Sequence, residues 1–243
     1  MTSLVLGVPI EGGAWLDVKA RLDARASTWI VTANPENLLT AHEQPAYREV
    51  LCAADYRTVD GMGLWLVMRA RGERVVRYTG VDLGEDLLRM ALERGWRVAF
   101  FGGDTGIAEA AAEGWRKRLP GLQVRAWSGG RVQSDGVEDG KTWEDREAML
   151  AWKPDVVLCA FGGGGTKQER WIARHREALR GVRVVVGVGG AFNMWTGRLR
   201  RAPSLIRVVG IEWLWRWALE PTRARRMWRA TGEFLWAVVR SKG

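Results

Sequence analysis

Compact apolar runs alternate along this chain with longer segments in which apolar residues return every three or four positions. TWIVTAN (28–34), RVAFFGG (97–103), QVRAW (123–127), DVVLCAFG (155–162) and RVVVGVGG (183–190) are short and bounded by Gly, Pro or Asp. Runs of this kind predict strands buried on both faces. VDLGEDLLRMALERG (81–95), DTGIAEAAAEGWRKRLP (104–120) and TKQERWIARHREALRG (166–181) have helical spacing and end in Gly or Pro. Strand and helix in alternation predict an α/β fold, with a Rossmann-like, mostly parallel sheet flanked by helices and right-handed crossovers. Pro35 to about Arg74 reads differently, as two helices around a strand-like YRTVDG, and is expected to form one wall of a cleft. Beyond Pro203 the pattern is helical throughout. Ile211, Leu214, Trp215 and Ala218 share one stripe, Pro221 interrupts, and Met227, Thr231, Phe234, Leu235 and Val238 form a second. The expected organisation is a catalytic body over residues 1–202 and a C-terminal helical appendage over residues 203–243, with no internal repeat.

Composition narrows the class. Among 243 residues 47% are apolar and 27% charged, with no low-complexity run, which excludes a disordered chain. The net charge of +9 comes mainly from arginine, whose planar fork of donors suits phosphate. The partner implied is nucleic acid, an anionic membrane or a phosphorylated small substrate; a basic solvated surface is the plain alternative. Cys52 and Cys159 sit in apolar stretches and are expected to be buried free thiols of a reducing compartment. No Cys/His spacing suggests zinc. The amino terminus lacks the charged region of a signal peptide and no window approaches 18 uninterrupted apolar residues, so a cytoplasmic location is expected.

Candidate chemistry gathers where strands hand over to helices. FFGGDTGIAEAA places Gly102, Gly103 and Gly106 where exposed N–H groups and a helix dipole could receive phosphate or ribose, although a tight turn explains them equally well. The spacing matches neither a dinucleotide fingerprint nor a P-loop. CAFGGGGTKQERW is stronger. Four consecutive glycines, Gly163 and Gly164 among them, are costly in backbone entropy unless a ligand approaches closely, and Lys167 and Gln168 follow in the first turn of a helix. GVGGAFN repeats the arrangement with Gly189 and aims Asn193 at the same sheet edge. TANPEN contributes Thr32, Asn34 and Glu36 at another strand end, and TVDGMG sets Asp60 before a glycine, where a carboxylate facing the crevice could act as a general base. The chain holds no Asp-x-Asp, so arginine, lysine and helix N-termini would have to stabilise a departing phosphate. His42 and His175 read as surface residues.

Taken in order, TANPEN, TVDGMG with RYTGVDL, FFGG, GGTKQERWI, GVGGAFN and RRAP…GIEWLWRWALEPTRARR resemble the signature of the WecG/TagA/CpsF glycosyltransferases, from about Ile30 to Arg226. The resemblance implies a sugar moved from a UDP-sugar donor to the saccharide of a polyprenyl-diphosphate-linked acceptor at the cytoplasmic membrane face, with inversion and with no metal or other cofactor. By motif, it implies that Asp60 is the base, that Thr32 and Asn34 position substrate and that Gln168 meets the donor. Arg77 would contact phosphate or acceptor, and Arg216, Arg223 and Arg226 would close over the site and meet diphosphate. Two departures stand out: Asn193 occupies the place of the family's usual Asp, and Thr166 that of its usual Pro. Trp213, Trp215 and Trp217 would sit at lipid headgroups while nearby arginines meet an anionic membrane surface. The alternative for the tail is a helical hairpin packed on the body or on a second subunit of a homo-oligomer. A nucleotide-dependent oxidoreductase lacks its fingerprint, and a nucleic-acid binder leaves the glycine-rich strand ends unexplained; nucleic acid is not expected as a partner. The donor sugar stays open between N-acetylmannosamine, its uronic acid and a plain hexose.

Overall fold

The computed structural model describes residues 2–13, 15–24, 27–161, 166–199, 203 and 229–241. A short antiparallel hairpin, β1 (Ser3–Val5) and β2 (Val8–Ile10), turns through Leu6 and Gly7, both at positive φ. The main sheet contains β3 (Thr28–Ala33), β4 (Tyr56–Val59), β5 (Arg97–Gly102), β6 (Gln123–Trp127), β7 (Val156–Ala160) and β8 (Val184–Gly187). These strands are parallel and lie in the order β4-β3-β8-β7-β5-β6.

Side chains alternate across each strand, so continuous apolar runs build two cores rather than one. Trp29, Val31, Phe101, Val157, Cys159 and Val185 face one layer. Ile30, Phe100, Val156, Leu158, Val184 and Val186 face the other. The edge strand β6 departs from the expectation of double burial, since Gln123 and Arg125 are exposed. An edge strand carrying polar side chains resists pairing with another chain.

The helices are α1 (Trp15–Ala24), α2 (Pro35–Glu43), α3 (Pro45–Cys52), α4 (Met62–Ala70), α5 (Gly80–Arg94), α6 (Ile107–Arg118), α7 (Gly140–Ala151), α8 (Lys167–Arg174), α9 (Ala191–Trp195) and α10 (Phe234–Arg240). Buried residues of α2, α3, α4, α7, α8 and α10 join the first layer, and those of α1, α5, α6 and α9 the second. Chain steps toward β4 therefore cross on the first face through α2, α3, α7 and α8, and steps toward β6 return to the sheet on the other through α5 and α6, as right-handed crossovers require, with α4 packed on the first face before the chain passes to α5. Between β5 and β7 the outgoing helices α6 and α8 leave on opposite faces, which opens a crevice at the carboxyl edge of the sheet.

Three local expectations are corrected. Pro35 to Arg74 holds three helices, two of them before the strand, because Gln44 is forced into an extended conformation (φ −128°, ψ 97°) ahead of Pro45. The 166–181 helix ends at Arg174, and turns follow. Cys52 is exposed, while Cys159 is buried.

Arg57 locks β4 in place from within. It is buried, pairs with Glu11 at 2.6 Å and donates to the carbonyls of Leu51, Cys52 and Ala54 at 2.7–3.2 Å. In the second layer α5 lies close on β8 and α9: a Cβ added at Gly80 would meet Val188 Cα at 3.3 Å, and one at Gly84 would meet the Trp195 ring at 2.9 Å. Near the carboxyl end a π-helical stretch, Arg229–Glu233, leads into α10. Phe234 and Val238 are buried in the first layer, and Arg229 pairs with Glu43 at 2.8 Å. Among the described residues no helix is long and apolar enough to cross a membrane.

Candidate active site

β4, β3 and β8 are neighbours, so the residues that follow them emerge side by side. Asp60 continues the ladder beyond β4, its N–H donating to Ala33 O at 2.7 Å. Its Oδ2 accepts from Gly80 N at 3.2 Å, which sets the carboxylate against the positive end of the 15-residue α5. A Cβ at Gly80 would stand 3.4 Å from Thr32 Oγ1, and that buried hydroxyl donates to Gly187 O at 3.2 Å. Arg77 is half-buried and bridges Val59 through its backbone, next to Asp60 in the fold. The side chain of Asn34 caps α2: Oδ1 accepts from Glu36 N and Asn37 N at 3.0 Å, and Asn37 Oδ1 returns the bond to Asn34 N at 2.9 Å. Its Nδ2 is the donor left to meet a ligand.

Gln168 closes the other side. Its Oε1 accepts from Gly189 N at 3.2 Å and its Nε2 donates to Glu169 Oε1 at 2.9 Å. Gly187 must be glycine for this, because a Cβ there would lie 2.7 Å from Gln168 Cδ. Asp60, Gly80, Thr32, Gly189 and Gln168 thus form one connected rim over β4, β3 and β8. Lys167 and Asn193 flank it on half-buried positions of α8 and α9, and Gly189 is exposed at φ +55°.

Gly102 and Gly103 lie elsewhere on the same edge. Four strand spacings separate β5 from β4, roughly 19 Å at the usual interval. Gly103 lines a cleft of about 760 Å³ with Trp127, Ser128, Arg131, Asp139 and Lys141. Gly102 sits beneath it at φ +90°, where a Cβ would come within 2.7 Å of Ala160 O. Gly102→Ala is expected to lower unfolding free energy by roughly 2 kcal/mol, measured by urea denaturation, since both the dihedral and the contact oppose a side chain. Gly163, Gly164, Arg216, Arg223 and Arg226 lie outside the described residues.

Sequence reasoning missed Glu169. It is 2% exposed, and burial pushes its carboxyl up to about 7, partly offset by the hydrogen bond from Gln168. Tyr47 Oη donates to its second oxygen at 3.4 Å. Burial and this carboxyl together push the Cys159 thiol upward, which keeps it inert. The available signal was position: residues 168, 169, 171 and 172 form the buried side of α8. His175 is also less exposed than expected. It packs on Trp171 and lies 3.3 Å from Glu138, and burial holds its imidazole below the ordinary value.

A doubly wound parallel sheet with a carboxylate, a carboxamide and glycine turns gathered on its carboxyl edge defines an α/β enzyme of the nucleotide-using kind. The model of the glycosyl transferase WecG/TagA/CpsF family matches residues 4–243, and the chain belongs to that family. A relative from Bacillus spizizenii is 33% identical over 207 residues, covering 85% of this chain and 77% of its own. One from Staphylococcus aureus is 28% identical over 247 residues, covering 98% and 92%. Both carry the name N-acetylglucosaminyldiphosphoundecaprenol N-acetyl-β-D-mannosaminyltransferase. The protein is a glycosyltransferase, and the oxidoreductase and nucleic-acid alternatives give way.

Proposed function

We propose that this protein transfers an N-acetylmannosaminyl group from its UDP-linked donor to the saccharide of a polyprenyl-diphosphate-linked acceptor, with inversion and without metal. The observation that carries the reading is the placement of Asp60, held at the α5 N-terminus beside Thr32 on a rim shared with Gln168 and Gly189. The relatives' names supply the sugar and the acceptor, an N-acetylglucosaminyl-diphosphoundecaprenol. They also specify a β product. On a donor of α linkage such a product would be a net inversion, which a single displacement accomplishes.

In this mechanism Asp60 accepts the proton of the acceptor hydroxyl as its oxygen bonds to the anomeric carbon, and the bond to UDP breaks on the opposite face. The nucleoside occupies the cleft beside Gly103, and the diphosphate runs along the strand ends toward Gln168 and Gly189. Lys167, backbone N–H groups and the tail arginines stabilise the leaving diphosphate, and the absence of Asp-x-Asp supports a metal-free route. Arg77 and Asn34 Nδ2 face the acceptor. Residues 203–243 dock the protein on the cytoplasmic face of an anionic membrane.

The direct test offers a panel of UDP-sugars with a short-chain polyprenyl-diphosphate N-acetylglucosamine and records UDP release. Release is expected only with acceptor present and fastest with UDP-N-acetylmannosamine; absence of acceptor-dependent release with every donor in the panel would end the proposal. For the membrane role, truncation at Pro203 would strip Phe234 and Val238 from the core, so substitution in the full chain is required. Changing Arg216, Arg223 and Arg226 together to Gln is expected to weaken flotation with anionic vesicles roughly tenfold, and undiminished binding would remove the arginines from that role.

A further inference from the structure

We propose that Glu169 is a positioning residue for the transfer, fixing the carboxamide of Gln168 so that its oxygen holds the glycine turn after β8 and its NH2 points inward. The inference rests on the reading that Gln168 and Gly189 serve the donor side. A carboxamide in a shallow cavity can flip, exchanging donor and acceptor, unless both its ends are specified. Here they are. Gly189 N–H offers only a proton, so it selects Gln168 Oε1 at 3.2 Å. In its ionised form the Glu169 carboxylate offers only lone pairs, so it selects Nε2 at 2.9 Å. Gly187 closes the seat by approaching the amide too nearly for any Cβ.

The choice of a carboxylate at this depth calls for an explanation. Among the described residues its carboxyl meets neutral groups, Gln168 Nε2, Tyr47 Oη and its own backbone N–H, and no cation. A buried carboxyl held by neutral partners is less favourable than an apolar or amide side chain of the same size. Ionised, it has one property the amide lacks: both oxygens are acceptors, so either rotamer imposes the same orientation on Gln168. A glutamine at 169 does so in only one of its two orientations, and a methionine in none. Tyr47, reaching from α3, holds the carboxyl itself and so ties the wall of the cleft to the strand-end turn.

The experiment measures transfer by UDP release and UDP affinity by calorimetry, in full-length Glu169→Met, Glu169→Gln and Gln168→Ala, and in Glu169→Met combined with Gln168→Ala. Glu169→Met is expected to lower kcat on the order of tenfold with acceptor KM unchanged, and Glu169→Gln on the order of twofold to threefold. In the Gln168→Ala background Glu169→Met should add less than twofold, because its effect passes through Gln168. Equal losses in both backgrounds, or no loss from Glu169→Met, would overturn the assignment. A loss in Gln168→Ala with none in Glu169→Met would reject it while leaving the donor-side reading of Gln168 intact, whereas unchanged transfer in Gln168→Ala would reject both. Should the methionine variant fail to fold, Glu169→Asp withdraws the acceptor by one methylene and is expected to give a loss of the same kind; wild-type turnover there counts against the proposal.

Discussion

Asp60→Asn is expected to slow sugar transfer by about 10²–10⁴-fold, the usual worth of a positioned general base. The substitution keeps the two bonds that tie this position to β3 and α5. An asparagine oxygen can still accept from Gly80 N, and the backbone bond to Ala33 is unaffected, so the end of β4 and the start of α5 keep their places. What is lost is the capacity to take a proton from the acceptor hydroxyl. UDP binding should change by no more than about twofold, because the cleft proposed for the nucleoside lies beside β5, several strand spacings away. Transfer assays and calorimetry on the same preparation separate the two effects, and a variant with wild-type turnover would take Asp60 out of the mechanism.

The second large effect concerns stability. Glu169 has its carboxyl raised to about 7 from an ordinary 4.5, with burial the main cause. Between those values the folded protein holds a proton that the unfolded chain has released. Stability from this group is therefore full below about pH 4.5 and declines as pH rises toward 7, with no further loss above it. The whole change amounts to about 3 kcal/mol. Glu169→Gln keeps the shape and removes the titration, so at pH 8 it should raise the melting temperature by several degrees, while at pH 4 the two proteins should melt together. An equal difference at both pH values would show that burial of the charge is not the cause. A variant that is more stable and slower in transfer is the expected trade if Glu169 has the positioning role proposed above.

Much of this molecule is readable from pattern. The runs around Ile30, Phe100, Leu158 and Val186 are strands, because a sheet covered on both faces leaves no polar alternation to confuse the reading. Glycines after those runs locate the ligand edge. Other elements escape for identifiable reasons. The strands of the β1–β2 hairpin are three residues each, too short to show a period. In α7 the buried positions are Thr142, Arg146 and Met149, a stripe that does not register as apolar. The Gln44-Pro45 break cuts one expected helix into two. Within the candidate site, motif order proposes Asp60 and Gln168, but the engagements of Thr32 with Gly187 and of Asn34 with the α2 cap depend on distant or local geometry that residue type does not disclose. Glu169 was hidden because a glutamate on a charged helix reads as solvated, and the 760 Å³ cleft because the loop from Ser128 to Asp139 and the first turns of α7 acquire meaning only once folded against β5.

The close seating of α5 makes it a lever. Gly80 and Gly84 are one helical turn apart, the first touching Asp60 and the ends of β3 and β8, the second lying under Trp195 of α9. A bulkier residue at the second contact would tilt the whole rod and draw its leading N–H away from the carboxylate. If Asp60 is the base proposed above, its setting is thus mechanically geared to how tightly an indole is packed one turn further along the same helix.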